Sequence, residues 1–183
     1  DLGEAVVSAQ TKLELISDTV KKELEEITRA TDAQNLAIDI AYKNGLITQQ
    51  DVAIKKAKVE EDLLKKKKEL LEQELQAADD ARKTEINKSS EITRLKGNLE
   101  KEITRLRKVA RDQEGTDDAK AAEKRIKLAE DTLKRLIKDE DELATAAGES
   151  GKKYTEIKKK LAQSDLEFAK NALAQRVAAE QKA

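Results

Sequence analysis

Residues 42–51 read Tyr42-Lys43-Asn44-Gly45-Leu46-Ile47-Thr48-Gln49-Gln50-Asp51. Gly45 suits the left-handed backbone just past a helix C-terminus, and Lys43 places a positive charge in the last turn. Thr48 can cap a new helix, and Asp51 sets a carboxylate at its electropositive start. The stretch predicts a tight corner at 44–48 between two antiparallel helices.

Working toward the N-terminus, Val6, Leu13, Val20 and Ile27 recur every seven residues, with Ala9, Ile16 and Leu24 between them. That is the a/d seam of a helix packed on another helix. Thr31-Asp32-Ala33-Gln34 has capping-box form, and a bend there competes with a plain solvated face. Leu36, Ala37, Ile40 and Ala41 resume the apolar run.

Toward the C-terminus, only Gly97 interrupts residues 49–113, and one glycine costs about 1 kcal/mol. A continuous helix of roughly 65 residues, about 97 Å long, is expected. Its stripe runs Val52, Val59, Leu63, Leu70, Ala77 and Ala81. It then loses phase after Ile86 and restarts at Ile92, Leu95, Leu99, Ile103, Leu106 and Val109. Ser89 and Ser90 sit at the slip and are a candidate hinge. Gly115 and Thr116 mark a second corner at 114–117, and Gly148 and Gly151 a third at 148–151. The intervening helix carries Ala122, Ile126, Ala129, Leu133, Leu136, Leu143 and Ala147. The last carries Tyr154, Ile157, Leu161, Phe168, Ala172, Leu173 and Val177.

These corners predict an all-α chain. A long antiparallel helical hairpin spans 1–88. A three-helix, spectrin-like bundle spans 89–183, and a helix of about 49–113 is shared between them. An extended multi-chain coiled coil is the rival architecture.

Composition narrows function. Charged residues make up 41% of the 183, hydrophobic residues 38%, and aromatics only 2%: Tyr42, Tyr154 and Phe168. Such a chain can fill helix seams but not a thick globular core. Absence of Cys and His removes thiolate and imidazole metal ligands and the commonest general base. No phosphate loop, dinucleotide fingerprint or calcium loop is present. The expectation is a non-enzymatic protein with no cofactor, no metal site and no catalytic residue, and nothing points to a small-molecule ligand.

With 37 basic and 38 acidic residues the charge is balanced, which argues against a nucleic-acid partner. The basic clusters Lys65-Lys66-Lys67-Lys68 and Arg105, Arg107, Lys108, Arg111 are flanked by acids and read as solvated faces. Pairs such as Glu61–Lys65 and Glu130–Lys134, four residues apart, support exposed helix faces. No apolar run reaches the length of a membrane span. No leader is visible in residues 1–10, and Asp1 in place of Met reads as a piece of a longer or processed chain. The expected partner is a protein, or a second copy through the helix seams.

The stretch 39–62 resembles a recurring element of phage tail tape measure proteins, a "Tyr-Lys-x-Gly-x-Ile-Ser/Thr-x-x-Glu/Asp-Tyr" corner followed by a charged helix. Tyr42, Lys43, Gly45, Ile47, Thr48 and Asp51 match, while Val52 stands where an aromatic is usual. The resemblance covers about two dozen residues and implies a helical segment within a virion tail, where total length sets tail length. The alternative is a helical interaction module, spectrin-like or surface-exposed, that binds a protein partner.

Overall fold

The computed structural model describes residues 2–182 as three helices: α1 (Leu2–Lys43), α2 (Gln49–Asp112) and α3 (Asp117–Lys182). The fold is all-α, with long helices folded back at two tight turns.

Each turn is built from local chemistry. At the first, the Leu46 amide donates to Ala41 O (2.9 Å) and the Gly45 amide to Tyr42 O (3.0 Å). This paired closure requires a left-handed residue, and Gly45 adopts φ 74°. Thr48 Oγ1 then accepts from the Asp51 amide (3.2 Å), while Asp51 Oδ2 accepts from the Thr48 amide (3.2 Å). The reciprocal pair satisfies two donors that the start of α2 would leave bare. At the second turn Gly115 takes φ 84°, and Thr116 Oγ1 accepts from the Ala119 amide at 3.2 Å. Asp117 and Asp118 occupy the first turn of α3.

The turn expected at Gly148–Gly151 is not formed. Residues 148–151 lie inside α3, and among the described residues positive φ belongs to Gly45 and Gly115 alone. The reason is a seam that passes straight through. In α3 the buried positions Ala122, Leu136, Leu143, Ser150, Ile157 and Ser164 stand on one seven-residue spacing. Ser150 takes the place of an apolar residue in that series. Its hydroxyl donates to Glu85 Oε1 at 2.6 Å, and both side chains are buried.

Glu85 does the same in α2, where Leu64, Leu71, Ala78, Glu85, Ile92 and Leu106 share one frame. The phase slip read from apolar residues near Ser89 and Ser90 therefore reflects one polar layer. The hinge expected there is replaced by unbroken helix, with both serines exposed. Likewise α1 is not interrupted at Thr31, which is buried in its seam.

The chain divides into two compact units. One comprises residues 1–10 and 80–151, so the α2–α3 turn is joined by the start of α1. Val6, Ile92, Leu136 and Leu143 form its apolar centre, with Leu95, Leu99 and Ala146 against them. Lys96 reaches Glu140 (3.1 Å) and Arg107 reaches Glu130 (3.0 Å) across the antiparallel pair. The other unit comprises 11–79 and 152–183, so the α1–α2 hairpin is joined by the last part of α3. Ser17 donates to Glu74 (2.9 Å), Lys56 pairs with Asp39 (2.7 Å) and Lys68 with Asp165 (3.2 Å). This grouping differs from a hairpin of 1–88 followed by a bundle of 89–183, because without a third turn residues 152–182 pass on to the first hairpin.

Alanine substitution separates the two kinds of glycine. A Cβ built at Gly148 or Gly151 meets no atom within 4 Å. Gly148→Ala and Gly151→Ala are each expected to raise stability by about 0.5–1 kcal/mol, since helical alanine loses less backbone entropy on folding. Gly45→Ala and Gly115→Ala are expected to lower it by about 1–2 kcal/mol through left-handed strain. Thermal unfolding of the four variants reads both signs. Destabilisation at 148 and 151 would restore a turn there.

Candidate functional site

In parts of α1 and α3 the side chains depart from the apolar-in, polar-out pattern of a packed helix. The first is the last third of α3. Beyond Ile157 most of its inward positions are polar: Ser164 is buried, and Glu167, Asn171 and Gln175 are partly buried, with Leu161 and Ala178 the apolar members of that side. Two of the polar side chains are satisfied on α2. Asn171 Nδ2 and Gln175 Nε2 both donate to Ala57 O at 2.9 Å, and Gln175 Nε2 also donates to Glu61 Oε2 at 2.9 Å. With the polar side inward, the apolar side faces out. Leu166 is 55% exposed and Leu173 62%, and Ala162, Ala169, Phe168 and Val177 are exposed as well.

The end of α1 is mixed, with Ile38 and Ala41 partly buried beside polar inward positions. Thr31 is buried, and Asn35 is partly buried with its Oδ1 unpartnered among the described residues. Leu36 and Ile40, expected in the seam, are exposed instead, as is Tyr42. Among the described residues no side chain is buried in α1 after Thr31, in α2 before Leu64 or in α3 after Ser164. Side-chain burial thus fades toward the end of this unit that holds the Gly45 turn.

Four members of the two basic clusters are paired with acids. Lys65 pairs with Glu61 (2.8 Å), Lys68 with Asp165, Arg105 with Glu102 (2.6 Å) and Arg107 with Glu130. The Lys65 ammonium, then the Gln175 amide, hold the Glu61 carboxyl below its ordinary value of 4.5, and Glu61 in turn raises Lys65. Arg105 lowers Glu102 in the same way.

A carboxylate with a lowered folded pKa binds fewer protons folded than unfolded. Its contribution is therefore present above the ordinary value and fades as pH falls through the folded one. Melting curves of the parent and Glu61→Gln should differ at pH 6 and converge toward pH 3. A gap independent of pH would contradict this role. The Lys65 contribution runs the other way, being present at neutral pH and lost above its alkaline pKa.

An open groove of about 750 Å³ runs beside Val20, Leu24, Leu63 and Leu71, with Lys67, Glu74 and Lys160 at its rim. Its apolar wall is made of ordinary seam residues, and Glu74 at the rim accepts from Ser17. Among the described residues no cluster of acids could hold a metal ion, and no helix is long and apolar enough to cross a membrane. Of the residues singled out in the sequence, Gly45, Thr48, Gly115 and Thr116 build the two turns. Ser89, Ser90, Gly148 and Gly151 lie within helices. Sequence reading passed over Glu85 and Ser150. Their signal is positional, since each falls on the seven-residue frame set by its apolar neighbours.

Comparison with protein families, with curated proteins and with solved structures finds no match for this chain.

Proposed function

We propose that this chain is a non-enzymatic helical spacer or scaffold, and that its Tyr42–Asp51 corner marks it as a segment of a phage tail tape measure protein. The observation that supports this reading is the pair of uninterrupted helices, 64 and 66 residues long, whose buried positions serve helix–helix packing. A spacer needs a constant rise per residue and little reactive chemistry, and an α-helix supplies about 1.5 Å for each residue. Balanced charge keeps the exposed faces solvated without an attractive field for nucleic acid. As a ruler the segment acts extended, so the turns at Gly45 and Gly115 are the places that open.

The test is an in-frame deletion of residues 49–112 in the phage gene that encodes the segment. Tails measured by electron microscopy should shorten in proportion to the residues removed. Intact tails of parental length would overturn the reading.

A second reading, a helical interaction module, is supported by the outward-facing apolar residues of α1 and α3. An affinity-matured binder to those faces that leaves every cellular interaction of the protein intact would count against it.

A further inference from the structure

We infer that the outward face of α3 between Ala162 and Val177 pairs with the same face of a second copy of this chain, side by side and parallel. The inference rests on the interaction-module reading and names its partner.

The spacing is that of a short coiled-coil seam. Leu166 and Leu173 stand seven residues apart, as do Ala162 and Ala169, and the two pairs alternate at three and four residues. All four point away from α2, because the opposite side of the helix is occupied by Ser164, Asn171 and Gln175 against Ala57 and Glu61. The chain's own α2 therefore cannot cover them.

The flanking charges select the occupant. Asp165 precedes Leu166, and Lys170 follows Ala169. In a parallel pair of helices the residue before one seam position faces the residue five further along on the partner. Asp165 then meets Lys170 of the second copy, and two-fold symmetry repeats the pair on the other side. An antiparallel pair would not bring these two residues together. Asp165 also reaches Lys68 at 3.2 Å, but its side chain is 57% exposed, so it stays open to a second cation. Val177 continues the apolar edge, and Arg176 at the next seam position ends it.

The stripe is about 22 Å long at 1.5 Å per residue. A seam of that length falls below the area of a standard permanent interface, so the dimer is expected to be weak and to grow with concentration.

Sedimentation equilibrium of the full chain over a hundredfold concentration range tests this. The parent should shift from monomer toward dimer. Leu173→Glu should weaken association at least tenfold while circular dichroism stays helical, since the residue is exposed in the monomer. Asp165→Lys alone and Lys170→Asp alone should each weaken it, and the double exchange should restore it. A parent monomeric throughout, a dimer indifferent to Leu173→Glu, or a double exchange no better than the single ones would each overturn the pairing. Failure would leave the spacer reading standing, because that is judged by tail length.

Discussion

Truncating Leu71 to alanine is expected to lower the unfolding free energy by about 2–5 kcal/mol, the usual range for a leucine removed from a closed site. Leu71 is 1% exposed and lies on the same frame as Leu64 and Ala78. Its loss removes transfer free energy and leaves a void that stiff neighbouring helices fill only in part. The effect is large for this chain because few of its large apolar side chains are as fully buried as Leu71. Leu15 on α1 is 62% exposed, and Leu15→Ala should stay within about 0.5 kcal/mol. Urea unfolding of both variants makes the comparison. Equal effects would mean that the buried line does not carry the stability.

The second large effect concerns the polar layer. Ser150→Ala removes the hydroxyl that donates to the buried Glu85 carboxylate at 2.6 Å. Stranding a buried polar group costs about 1–3 kcal/mol, more when it is charged. Replacing both partners by apolar residues, Glu85→Leu with Ser150→Ala, is expected to be neutral or stabilising by as much as about 4 kcal/mol, as for other buried polar pairs. The opposed signs of the single and double variants, read by urea unfolding, identify the layer. A double variant as unstable as Ser150→Ala would show instead that the pair itself is net stabilising. A polar layer of this kind fixes the register of two long helices, because a slip of either one strands both groups.

Not all of this structure can be read from residue type. The turns at Gly45 and Gly115 are local: a left-handed glycine and a capping threonine lie within a few residues, so sequence carries them whole. The course of α3 is not local. Gly148 and Gly151 flank Ser150, and this looks like a turn until Glu85, 65 positions earlier, supplies the partner for an unbroken helix. A one-dimensional search for apolar residues skips Glu85 and Ser150, and so reports a hinge and a corner where the frame in fact continues. The exposed faces fail for a related reason. Leu36, Ile40, Leu173 and Val177 have seam-like spacing, yet tertiary contacts place Thr31, Ser164, Asn171 and Gln175 inward. Which of two stripes on one helix is buried depends on the neighbour, and helical periodicity alone does not choose between them. The functional reading follows the same division. The proposed structural role rests on the seam and the turns, and the proposed partner on the outward stripes.

Amide hydrogen exchange at residues 148–154 bears most directly on the central claim, that α3 runs as one helix past a polar layer shared with Glu85. A continuous helix bonds each of these amides four residues back. Exchange there should therefore be as slow as in the flanking turns of α3 and far slower than at Gly45, Leu46 and Gly115. Rapid exchange at Ser150 and Gly151, matching the two turns, would contradict the account and put a third corner back into the chain.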